Sequence, residues 1–136
     1  MTETPPVVPE WQIHLVDDDA AFRRSLVFLL ESMGWPVQAH ASAADYLDAG
    51  LPALEQTGCL LLDVRMPGMS GLELQQALIA RGCHLPIVFI TGHGDVELAV
   101  QAMKHGAFDF LEKPFRDQLL LDVVSAALRQ READLV

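Results

Sequence analysis

The feature that most constrains this chain is an alternation. Five short apolar runs are each followed by a stretch whose apolar residues recur at helical spacing or that opens on a helix-start signal. The first run, QIHLV over 12–16, leads into Phe22, Leu26, Leu29, Leu30 and Met33 on one helical face, with Gly34 closing the helix. WPVQAH is a second, poorer strand, and Ser42 with Asp45 opens a short helix after it. CLLL is the third strand. Ser70 and Glu73 have capping-box spacing and open a helix to about Arg81. PIVFI over 86–90 precedes a stripe of Val96, Ala99, Val100 and Met103. AFDFLE over 107–112 precedes Leu120, Val123, Val124, Ala127 and Leu128. Such alternation predicts an α/β domain, a parallel sheet with helices on both faces. The nearly unbroken apolar character of CLLL and PIVFI suits interior parallel strands, which are buried on both sides.

The 136 residues suit one domain, and a hydrophobic share of 51% is enough for a sizeable core. The net charge of −10 repels phosphate backbones, so no direct nucleic-acid contact is expected of this domain. No apolar run approaches the ~18 residues of a membrane span. Residues 1–10, MTETPPVVPE, read as a flexible lead-in without the pattern of a signal peptide. Two cysteines without a Cys-x-x-Cys motif argue against a disulfide scaffold or a zinc site, and a cytoplasmic location is expected.

In parallel sheets function gathers at the carboxyl ends of the strands. Here those ends carry Asp17, Asp18 and Asp19, then Asp63, then Thr91 to Gly94, then Lys113 and Pro114. Packed carboxylates raise one another's pKa, and a divalent cation such as Mg²⁺ relieves that repulsion with oxygen ligands. One of the three consecutive acids has a simpler use as a helix cap, and Asp19 is expected to be that cap or merely solvated. Asp63 reads either as the start of the turn-rich MPGMSG loop or, with a cation nearby, as a carboxylate of the kind that can accept a phosphoryl group. Lys113, otherwise an ordinary surface lysine, supplies a mobile positive charge. Thr91 is either a plain strand-end residue or a hydroxyl donor to a phosphoryl oxygen. His93 is expected to be exposed, and neither His14 nor His105 has metal-ligand spacing.

VDDD, LLDVRMPGMSG, ITGHGD and FDFLEKPF, in this order, resemble the receiver domain of bacterial two-component response regulators. TGHGD and EKPF resemble the FixJ-type (NarL/FixJ-like) subgroup most. The resemblance covers roughly residues 11–131, leaving 132–136 as a tail or the start of a linker to an output domain. It implies a flavodoxin-like (βα)5 fold with strand order 2-1-3-4-5. It implies that Asp63 is phosphorylated by a sensor histidine kinase, and that Asp18, Asp63 and the Arg65 carbonyl bind Mg²⁺ (or Mn²⁺), with Asp17 acting through water. It further implies that Thr91 and Lys113 contact the phosphoryl oxygens, that Thr91 and Phe110 act as a switch pair, and that the Lys113–Pro114 bond is cis. Phosphorylation is then expected to drive homodimerisation through the fourth helix, fifth strand and fifth helix, and to control a helix-turn-helix output domain in a full-length regulator.

Two other readings compete. A haloacid-dehalogenase-like phosphatase also uses an aspartyl nucleophile, but its Asp-x-Asp-x-Thr motif after the first strand is replaced here by DDDAA. A receiver-like interaction module that never takes phosphate would have no need of the full set Asp17, Asp18, Asp63, Thr91 and Lys113. The expectation is therefore a domain that catalyses only its own phosphorylation and dephosphorylation and is otherwise not an enzyme.

Overall fold

The computed structural model describes residues 11–49, 57–92 and 94–134. The expected lead-in over 1–10, His93 and the last two positions of the 132–136 tail lie outside the described residues. Five β-α units follow in order: β1 (Trp11–Val16), α1 (Ala20–Glu31), β2 (Val37–His40), α2 (Ala43–Asp48), β3 (Thr57–Asp63), α3 (Gly71–Ala80), β4 (Ile87–Thr91), α4 (Val96–Lys104), β5 (Asp109–Glu112) and α5 (Asp117–Asp134). All strands pair in parallel, in the order β2-β1-β3-β4-β5.

The two-residue alternation of side chains explains why the central runs are apolar throughout. Leu60 and Leu62 of β3 join Leu74, Leu78, Phe89 and Ala102 in a core on the α3 and α4 side. Cys59 and Leu61 join Leu26, Leu30, Ile90, Leu120 and Val124 in a second core on the α1 and α5 side. A strand that serves both cores has no polar face.

Helix starts follow the sequence signals. Asp19 caps α1 by accepting from the Phe22 N–H at 3.1 Å. Ser42 accepts from the Asp45 N–H, and Ser70 and Glu73 form a complete, reciprocal capping box at α3. Two apolar stripes depart from expectation. α1 ends at Glu31, so Met33 falls beyond it and is 48% exposed. On α4 the small residues Ala99 and Ala102 face the core, while Val96, Val100 and Met103 are turned outward. The spacing identified the stripe correctly, but α4 packs by its alanines, which allow a closer approach to the sheet.

Candidate functional site

Strand register assembles the site. Val16 pairs with Leu62, and Asp63 pairs with Ile90. Ile90 pairs with Leu111, and Thr91 with Glu112. The residues next in line, Asp17 and Lys113, therefore reach the same edge as Asp63. Parity sets their direction. Ile13 and Leu15, Cys59 and Leu61, and Leu111 all face the α1/α5-side core. Asp17, Asp63 and Lys113 continue those rows past the edge of the sheet. Thr91 follows the opposite row, that of Phe89, and Phe110 packs against that same opposite core.

Carboxylate oxygens of Asp17, Asp18 and Asp63 all lie within 4.8 Å of one another. Asp17 is fully buried, Asp63 half-buried and Asp18 exposed. Asp17 Oδ1 accepts from the Asp19 N–H at 2.8 Å, and its carbonyl accepts from the Arg23 guanidinium. Its Oδ2 is buried with no hydrogen-bond partner among the described residues. The Lys113 ammonium lies 3.7 Å from it. A buried carboxylate oxygen left in this condition costs free energy unless a cation joins it. Oxygen donors only, one of them orphaned, are the ligand chemistry of a hard divalent ion.

Electrostatics agree with the geometry. Burial pushes the Asp63 carboxyl up to about 6, and the Asp17 charge adds to the rise; Lys113 and the Arg65 N–H, at 3.2 Å from Asp63 Oδ1, oppose it. Asp17 is raised too, by burial first, with Asp18 and Asp19 adding to it.

The remaining expected positions are placed as follows. The Thr91 hydroxyl is fully buried and donates to the Leu111 carbonyl at 3.4 Å. Phe110 is half-buried. The Lys113–Pro114 bond is cis. Arg65, singled out for its carbonyl, also uses its side chain: Nε meets Asp95 Oδ1 at 2.7 Å. Asp95 occupies the N-cap position of α4 yet makes no side-chain capping bond, because its carboxylate is turned to Arg65.

The four motifs stand in order at the carboxyl edge of one parallel sheet with three of their acids converged, and the response regulator receiver domain model matches residues 13–125. This chain belongs to the response regulator receiver domain family. The receiver domain is 58% identical to the transcriptional regulatory protein FixJ of Azorhizobium caulinodans over 116 residues, covering 85% of this chain and 54% of that protein. It superposes on the crystal structure of full-length FixJ from B. japonicum with a TM-score of 0.82 at 50% identity, over 89% of this chain and 59% of that one. It superposes on the response regulator StyR with a TM-score of 0.83 at 46% identity, over 91% of this chain and 62% of that one. The chain thus spans about half the length of the curated relatives it matches. Among the described residues, no helix of this receiver domain is long and apolar enough to cross a membrane.

Three residues of this receiver domain escaped the sequence reading. Phe22 packs against the α1/α5-side core as its place in the α1 stripe predicts, and its ring also lies under the Lys113 ammonium, with Nζ 3.8 Å from the centroid. Asp95 was given no role beyond closing the ITGHGD motif, and its carboxylate pairs with Arg65. Gly71 looked like part of a turn, and is in fact pressed against the Asp63 backbone. None carries a local signal, because each contact is made across the fold.

Proposed function

We propose that this domain is the phosphoacceptor switch of a two-component transcriptional regulator, receiving a phosphoryl group from a histidine kinase on Asp63. The observation that carries the reading is the convergence of Asp17, Asp18 and Asp63, one of whose carboxylate oxygens is buried without a hydrogen bond among the described residues and has the Lys113 ammonium at 3.7 Å. Asp18, Asp63 and the Arg65 carbonyl would hold Mg²⁺, with Asp17 assisting through water; when bound, the ion neutralises charge on the transferred group. Asp63 is the nucleophile: one of its oxygens forms the O–P bond as the N–P bond of the donor phosphohistidine breaks. With its carboxyl raised to about 6, Asp63 is mostly ionised at pH 7.5 and able to attack. Lys113 stands within reach of the new phosphoryl oxygens. Thr91, now bonded to the Leu111 carbonyl, would exchange that acceptor for a phosphoryl oxygen, and Phe110 on the same face would repack. Beyond this self-phosphorylation and its reversal, the domain is not an enzyme.

Two expected results test the reading. Millimolar Mg²⁺ should raise the melting temperature. At tenfold excess over Kd the gain is about 1.4 kcal/mol, a rise of a few degrees seen by calorimetry. An unchanged melting curve would speak against the metal site. In full-length relatives the phosphoryl signal must leave the domain, and the outward apolar residues Val96, Val100 and Met103 of α4, with Leu119 of α5, offer a surface for a second copy. Beryllofluoride with Mg²⁺ should convert monomer to dimer by light scattering, and Val100→Asp should take up beryllofluoride yet stay monomeric. A wild-type chain that remains monomeric would remove the dimer.

A further inference from the structure

We propose that Phe22 is a positioning residue for Lys113, its ring face seating the ammonium group beside the acid cluster until a phosphoryl group arrives. The proposal rests on the phosphoacceptor reading above. Lysine carries its charge on a flexible four-carbon stem, so its use at a defined point requires restraints. Lys113 has two among the described residues: Asp17 Oδ2 at 3.7 Å and the Phe22 ring centroid at 3.8 Å. The first is too long for a directed, charge-assisted hydrogen bond, which brings nitrogen and oxygen to ~2.7–2.9 Å. The second is well inside the range of a cation–π contact, ~6 Å. The Lys113 side chain is 30% exposed, so without the ring it has open solvent to move into.

The ring is itself fixed from two directions. Asp19 holds the Phe22 backbone through the helix cap. Phe115 sets the ring with an edge contact, centroids 6.2 Å apart and planes at 79°. Phe115 lies two residues beyond Lys113, so the aromatic pair ties α1 to the segment that carries the lysine. An aromatic seat also suits the chemistry. Another carboxylate there would add to the repulsion already raising Asp17 and Asp63, and would hold the ammonium in a salt bridge that phosphoryl transfer must break. A ring face attracts the cation through its quadrupole and adds no net charge.

The test uses the 136-residue chain. Labelling by acetyl phosphate with Mg²⁺ is first compared in wild type and Asp63→Asn; if wild type does not label, the phosphoacceptor reading fails. The seat is read separately by NMR in metal-free protein. The Lys113 ε-methylene protons should show an upfield ring-current shift that disappears in Phe22→Leu, and its absence in wild type overturns the seat whatever the labelling shows. In labelling, Phe22→Leu should lower the second-order rate constant for acetyl phosphate about tenfold and Phe22→Tyr by less than about twofold. Stepwise fluorination of the Phe22 ring, which weakens the face potential at nearly constant shape, should give a stepwise fall. In a Lys113→Ala background, Phe22→Leu should add nothing. Equal slowing in both backgrounds would make Phe22 a packing residue only, as would a flat response to fluorination.

Discussion

Asp63→Asn should take up no phosphoryl group and yet melt higher than wild type in the absence of metal. The first half follows from chemistry: an amide is no nucleophile, and removing the attacking group costs roughly three orders of magnitude or more in rate. Intact mass after acetyl phosphate and Mg²⁺ reads it directly. If the variant gains the mass of one phosphoryl group as fast as wild type, another residue is the acceptor. The second half follows from the site's charge. Asp63 rises from an ordinary carboxyl value of 3.8 to about 6 on folding, so its ionised form is unfavourable in the native state. Discounted for partial exposure, the penalty is about 2 kcal/mol at pH 7.5, or ~6 °C for a domain of this size. Asparagine keeps an oxygen that can accept from the Arg65 N–H and carries no charge.

The sign fixes the pH dependence. A carboxyl whose folded pKa lies above its unfolded value binds the proton more tightly when folded. Its favourable contribution is complete below the unfolded value of 3.8 and is lost as pH rises through the folded value of about 6. Asp17, shifted in the same direction, adds to the loss. Metal-free wild type should therefore fall behind Asp63→Asn progressively between about pH 4 and pH 7, with the two curves meeting near pH 4. If Asp63 is a ligand as proposed, saturating Mg²⁺ should reverse the order at pH 7.5. A constant gap at all pH values would mean that packing, and not charge, separates the two proteins.

What could be read from the sequence was what periodicity and motif spacing encode. Runs buried on both faces reported central strands, and Ser70 with Glu73 reported a helix start, because each signal is local. The strand-end acids could be assembled because a parallel sheet brings its carboxyl ends to one edge whatever the loops do. Harder to read was the choice each side chain makes among partners brought near only by folding. Lys113 could be placed at the acidic edge, but not its seat on the Phe22 ring or its approach to Asp17. Arg65 was valued for a carbonyl, and its guanidinium holds Asp95 away from the α4 cap. The α4 stripe had the right period, but spacing alone did not say that Ala99 would meet the sheet while Val96, Val100 and Met103 stayed exposed.

Gly71 makes the same point with a large expected effect. By helix propensity alone, alanine in the first position of α3 should be neutral or favourable. The fold reverses that sign. A Cβ at Gly71 would fall inside contact distance of the Asp63 carbonyl oxygen and lie 3.1 Å from Phe89 Cε1. Neither neighbour yields easily. The Gly71 N–H donates to the Val64 carbonyl at 3.0 Å, Val64 in turn donates to the Ile90 carbonyl at 3.1 Å, and Phe89 is fully buried. Relief requires moving either the start of α3 or the backbone that carries the acceptor. Gly71→Ala should cost about 3 kcal/mol, the upper part of the range for overpacking, and lower the melting temperature by ~10 °C. Folded variant should label on the order of a hundredfold more slowly, since an ångström of displacement at a reacting group suffices for that. Gly34→Ala is the contrast. That glycine has φ +78° and nothing within 4 Å of an added Cβ, so only backbone strain of about 1 kcal/mol applies and labelling should be unchanged. If Gly71→Ala melts and labels like Gly34→Ala, the close packing of α3 against the Asp63 backbone does not set where the acceptor points.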